Sequence, residues 1–114
     1  MKATDRFFVE GVTCTRDASE RMPVANLSVG GLFAATSTPP LKGQLVALDL
    51  SLAGRAPLRL MGKVTWVNDP ARPKAAHLPQ GFGFKITEIA FPDKLAILDF
   101  LKRLGPNAAR TRET

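Results

Sequence analysis

Asn26-Leu27-Ser28-Val29-Gly30-Gly31, running on into Leu32-Phe33-Ala34-Ala35-Thr36, is the segment on which the reading of this chain turns. A strand carrying Met22, Val24 and Leu27 ends here in a polar, glycine-containing turn, and an apolar strand begins straight after. Asn26 and Ser28 are two apart, so in extended backbone their short polar side chains point the same way. The Gly30–Gly31 pair permits positive φ and leaves no side chain between the backbone and an approaching group. Asparagine offers a donor and an acceptor, serine a hydroxyl, and the glycines bare amide groups. Together they make a small surface for a ligand with amide-like edges and phosphates. An isolated N-x-S-x-x-G is more often a plain turn whose Asn and Ser bond their own backbone. The surrounding chain therefore decides.

Working outward, Phe7 to Cys14 reads as a first strand bent at Gly11, and Met22 to Leu27 as the second. Gly31 to Thr36 opens the third. Thr38-Pro39-Pro40-Leu41-Lys42-Gly43 is a turn, because neither proline can donate to a ladder. Leu45 to Leu52 is a strongly apolar strand. The next segment alternates: Leu58, Leu60, Gly62, Val64 and Trp66 fall on one face, Arg59, Met61, Lys63, Thr65 and Val67 on the other, as in a half-buried antiparallel strand. Residues 68–80, with Asn68, Asp69, Pro70, Pro73, Pro79 and His77, form an irregular loop of a length that usually carries function or disorder. Phe82, Phe84 and Ile86 alternate with Gly83, Lys85 and Thr87 in the last strand. Pro92 and Asp93 suit a helix start. Leu95, Ile97, Leu98, Leu101 and Leu104 form an amphipathic stripe that stops at Gly105-Pro106. Six strands followed by one helix predict an all-β-dominated, six-stranded antiparallel barrel or sandwich with the helix packed on it. One domain over residues 1–106 and a flexible tail over 107–114 complete the expectation.

The chain of 114 residues is 45% hydrophobic and 23% charged, a globular composition with one core. It lacks an apolar run long enough to span a bilayer and a charged-then-apolar leader, so membrane-spanning and secreted readings fail and a cytoplasmic location is expected. The single cysteine, Cys14, fits a reducing compartment and a buried strand position. A net charge of +6 and an isoelectric point near 10.1 favour anionic partners. The absence of tyrosine, and of a row of exposed aromatics to stack bases, argues against nucleic acid. One strand cysteine and one loop histidine make no base–nucleophile pair, and no cluster has metal-ligand spacing. The expectation is a non-enzyme with no metal and no cofactor.

With this order of elements, the chain resembles the PilZ family of bacterial cyclic di-GMP receptors and adaptors. The resemblance is carried by Asn26–Gly31 with Leu32-Phe33, by Gly62-Lys63-Val64-Thr65-Trp66-Val67, and by Gly81-Phe82-Gly83-Phe84-Lys85-Ile86 ahead of the helix. It implies a six-stranded antiparallel barrel with a C-terminal helix and a two-piece ligand site. Asn26, Ser28 and Gly31 satisfy the family's [D/N]-x-S-x-x-G, with Gly30 between them. The partner R-x-x-x-R loop reads K-x-x-x-R, with Lys2 and Arg6 in the two cationic positions. A guanidinium can lie flat on a guanine or fork onto its edge or a phosphate, whereas a lysine keeps only the charge. One such lost bond is worth about 1.5–3 kcal/mol, or roughly ten- to a hundredfold in affinity.

Two functional readings stay open. In one, the domain binds cyclic di-GMP through Lys2, Arg6, Asn26, Ser28, Gly30 and Gly31 and relays its level to a protein partner. In the other, it has lost the ligand and serves as a protein–protein adaptor in motility, polarity or pilus systems. Arg16 and Arg21, one residue too far apart and after the first strand, read as solvated loop charges. Trp66 reads as core filling more than as a stacking platform, and His77 as a surface residue.

Overall fold

The structure, a computed structural model, describes residues 6–104. The elements are β1 (Phe7–Phe8), β2 (Thr13–Arg16), β3 (Glu20–Ser28), β4 (Gly31–Ala35), β5 (Leu45–Ser51), β6 (Leu58–Asn68), β7 (Gly81–Glu88) and α1 (Phe91–Arg103). Strands β3-β2-β5-β6-β7-β4 lie side by side, every pair antiparallel, and β4 pairs back onto β3 to close a six-stranded barrel. Among the described residues, closure leaves no long edge strand unpaired. The two-residue β1 is an addition on β3, where Phe7 faces Leu27 and Phe8 faces Asn26. The sequence predicts a single strand over residues 7–14. The chain instead breaks at Gly11, whose φ of 71° no extended strand accommodates, so β1 and β2 pair with successive stretches of β3.

The interior follows the period-2 alternation. Leu27, Leu32, Phe84 and Val64 stand opposite one another across β3, β4, β7 and β6, and none is exposed. Leu48, Leu50, Leu60, Phe82 and Met22 fill the rest. Each fully buried side chain of this kind contributes about 1.5–3 kcal/mol relative to its exposed state. Cys14 belongs to this core, and burial, with Glu20 adding and Arg16 opposing, pushes its thiol up to about 12. It stays protonated and packs as a small apolar group.

Helix α1 begins behind Ala90 with Pro92 in its first turn, and carries Asp93 at the start and Lys102 and Arg103 at the end, as the helix dipole favours. Ala96, Ile97 and Leu101 join the core. Leu95, expected in the buried stripe, is 47% exposed beside Phe91 at 69%, because the packed face runs through Ala96 and Phe100 instead. No described helix is long and apolar enough to cross a membrane. Lys2, the Gly105-Pro106 stop and the 107–114 tail lie outside the described residues.

Strand β6 departs from the sequence reading at one point. Leu58, Leu60, Gly62 and Val64 face inward, but a bulge between Val64 and Trp66 shifts the register by one residue. Side chains beyond a bulge exchange faces. Val67 therefore turns in to oppose Phe82, and Trp66 turns out to oppose Gly83.

Candidate functional site

Residues directly opposite in an antiparallel ladder share a face. Two neighbouring rows on the outside of the barrel follow from the register. One runs Phe8, Asn26, Phe33, Gly83, Trp66 across β1, β3, β4, β7 and β6. The other runs Ser28, Gly31, Lys85, Lys63 across β3, β4, β7 and β6. The polar pair of the Asn26–Gly31 turn thus lies on the outer wall, side by side, as their spacing requires.

Arg6 meets this corner from the other end of the chain segment. Its Nη1 donates to Asn26 Oδ1 at 3.1 Å, across twenty residues of sequence. Its Nη2 sits 3.1 Å from the place a Cβ on Gly31 would occupy. Asn26 and Ser28 are only 6% and 3% exposed although they lie outside the core. Arg6 lies over this corner.

The turn itself works differently from its sequence reading. Ser28 Oγ accepts from the N–H groups of Gly30 at 3.2 Å and Gly31 at 3.1 Å, and donates to the Gly31 carbonyl at 3.2 Å. The amide groups expected to lie bare are held by the serine. Neither Gly30 nor Gly31 takes a positive φ. Gly31 is needed for close approach instead, since a Cβ there would stand 2.2 Å from the Phe84 carbonyl oxygen, whereas Gly30 faces open space apart from Ser28 Oγ at 4.0 Å. The local sequence held the serine–glycine turn, but the strand that crowds Gly31 is over fifty residues away.

A PilZ domain family model matches residues 4–103, nearly the whole described chain. The chain belongs to the PilZ domain family. Its barrel is also similar to three solved structures. They are the uncharacterized Legionella protein Lpg0364 (17% identity, 87% of this chain and 91% of that one, TM-score 0.60), the Bacillus subtilis inhibitor of motility MotI/DgrA (20%, 90% and 47%, 0.62) and Borreliella burgdorferi PlzA in complex with c-di-GMP (12%, 88% and 40%, 0.54). At these identities the likeness is one of fold. The chain spans about half the length of MotI and two-fifths of PlzA. No curated protein sequence matches it.

Within this PilZ barrel the remaining candidates separate clearly. Arg16 pairs with Glu20 and donates to the Thr38 carbonyl, and Arg21 donates to Thr13 Oγ1 at 3.3 Å. Both lie where β3 begins, the opposite end of that strand from Asn26 and Ser28. Glu20 is held below the ordinary carboxylate range, first by the Thr36 hydroxyl and also by Arg16 and Thr38, a latch at the far end of β3 and β4. Trp66 packs against Phe33, ring centroids 5.2 Å apart, and lies on Gly83, where a Cβ would stand 2.1 Å from Nε1. It is half-buried on the outer wall, not in the core. His77 is exposed and meets the edge of Phe8 at 6.4 Å.

The sequence places Asn68 only in the loop, yet it organises that loop. Its Nδ2 donates to the carbonyls of Ala75, Leu78 and Pro79 at 3.0–3.1 Å, and its Oδ1 accepts from the N–H groups of Lys74 and Ala75. Residues 69–80 are thereby brought back so that His77 reaches the outer aromatic row. A lone asparagine at a strand end is the only sequence signal for this, since its partners are backbone groups.

Proposed function

We propose that this PilZ domain is a non-enzymatic receptor for cyclic di-GMP that relays the second-messenger level to a protein partner in the cytoplasm. The observation that carries the reading is the meeting of Arg6 with Asn26 and Gly31 on the outer wall. The two sequence pieces of the family's site converge there with no rearrangement of the barrel. Arg6 turns its guanidinium from Asn26 onto a guanine or phosphate, and Asn26, released, offers its amide to a guanine edge. Ser28, Gly30 and Gly31 hold the turn that presents both. Lys2 brings a second cation from the N-terminal side. Relay follows when the bound ligand changes the surface shown to the partner. PlzA, a structural neighbour, is described in complex with c-di-GMP, and MotI as an inhibitor of motility.

Calorimetric titration of the purified chain with cyclic di-GMP tests this. Saturable binding is expected, weakened about ten- to a hundredfold in Arg6→Ala. Arg6→Lys keeps the charge but loses the fork, so most of the loss remains. No heat at ~100 μM ligand overturns the reading, because at that concentration binding worth only about 5–6 kcal/mol still registers.

A second reading is favoured by the lysine in K-x-x-x-R and by Phe91 and Leu95 exposed one helical turn apart on α1. There the domain is an adaptor without ligand, docking through the helix. It predicts that Arg6→Ala leaves the biological output intact while Phe91→Ser and Leu95→Ser abolish it.

A further inference from the structure

Beside the Arg6 corner, the outer wall carries a feature that the family motif does not account for. Lys85 stands directly opposite Gly31, and Lys63 directly opposite Lys85. Both alternate with buried residues and are exposed, so both ammonium groups project from the same wall as Ser28 and Gly31. Adjacent strands lie about 4.8 Å apart, which puts the Lys85 backbone ~5 Å and the Lys63 backbone ~10 Å from Gly31. Neither lysine has an ion pair among the described residues. Two like charges placed directly across a ladder destabilise a sheet. Elsewhere the barrel avoids this, for example where Asp49 faces Arg59 across β5 and β6 and the two bond at 3.1 Å.

We propose that Lys63 and Lys85 are the second half of the anion site, taking a phosphate of the dinucleotide whose other half is held at Arg6 and Asn26. This rests on the cyclic di-GMP reading and extends it. A bound phosphate answers the repulsion between the two lysines, and a ligand with two phosphates is long enough in charge to engage both patches at once. The row also offers this chain a source of positive charge in place of the guanidinium that K-x-x-x-R lacks. Of the lysines' neighbours, Gly31 lies beneath Arg6 on the corner side, while Leu45, opposite Lys63 and 72% exposed, bounds the row on the far side.

The test is titration of the full chain with cyclic di-GMP, read by calorimetry and by the emission of Trp66, for wild type, Lys63→Gln, Lys85→Gln, the double variant, Arg6→Ala, and Lys102→Gln as a charge-matched control on the helix. Each single lysine variant is expected to weaken binding about fivefold and the double variant about twentyfold, with Lys102→Gln near wild type. Wild-type affinity should also fall more steeply with salt than that of the double variant. In the absence of ligand the double variant should melt at or above the wild-type temperature, since it relieves a like-charge pair, and this shows that any loss of binding is not a loss of fold. If wild type binds and Arg6→Ala fails, but the double variant titrates like wild type, the lysine row is overturned and the receptor reading stands. If wild type does not bind at all, both fall together. Binding of single-stranded RNA that depends on these lysines, without dinucleotide binding, likewise overturns the assignment.

Discussion

Gly31 and Gly30 look interchangeable in the sequence, and the fold separates them. A methyl group on Gly31 would stand 2.2 Å from the Phe84 carbonyl oxygen, an atom of the barrel wall that cannot move without parting β4 from β7. Overpacking of this kind costs about 1–3 kcal/mol. Gly31→Ala is therefore expected to lower the unfolding free energy measured in urea by that amount, and to weaken ligand binding as Arg6 is displaced. Gly30→Ala, which meets only Ser28 Oγ at 4.0 Å, should stay within about 0.5 kcal/mol of wild type. Equal effects in the two variants would mean that the turn, not the strand contact, sets the requirement. The sequence marks the pair as glycines that something approaches. It does not say what, because the crowding atom belongs to a strand that is distant along the chain.

At the scale of elements, alternation made the strands readable and also misled at one point. Period-2 alternation marks β6 and β7, apolar runs bounded by Gly, Pro and short polar residues mark β3, β4 and β5, the run over 7–14 divides into β1 and β2, and the 3.6-residue stripe is the helix. Trp66 continues the inward series of β6 on paper, but the bulge after Val64 moves it to the outer wall. A bulge is paid out in partner register, which no single strand reveals. Asn68, next along, was hidden for a related reason: its side chain satisfies five backbone groups of the loop that follows. Removing it leaves part-buried carbonyl and amide groups without partners, at about 1–3 kcal/mol. Asn68→Ala should lower stability by this order and open the loop to trypsin at Lys74. His77 would then leave Phe8. Unchanged proteolysis in the folded variant would show that the prolines of the loop hold its shape without the asparagine.

Across the whole molecule, the two-piece site is legible only with the family resemblance in hand, since Arg6 and Asn26 lie on separate strands' approaches and nothing local brings them together. The β1–β3 pairing does so, on the edge of β3 opposite the β4 pairing that closes the barrel. The same closure ties the site to global stability. Every barrel strand has two neighbours, the interior is one contiguous core, and Ile97 and Leu101 of the helix are part of it. A domain of this size with a single core unfolds as one unit, with a total stability of about 5–15 kcal/mol. Trp66 is the sole tryptophan and reports on the outer aromatic layer, whereas far-ultraviolet circular dichroism reports on the ladders inside. Urea unfolding followed by the two signals is expected to give one coincident transition, with cyclic di-GMP shifting both midpoints upward together, because a ligand that binds only the closed barrel stabilises all of it by mass action. A tryptophan transition at lower urea than the dichroism would mean that Phe33, Trp66 and the 69–80 loop lift from a barrel still intact. In that case the outer wall would be a separately folding layer, and ligand binding there would stabilise the layer without raising the barrel's own midpoint.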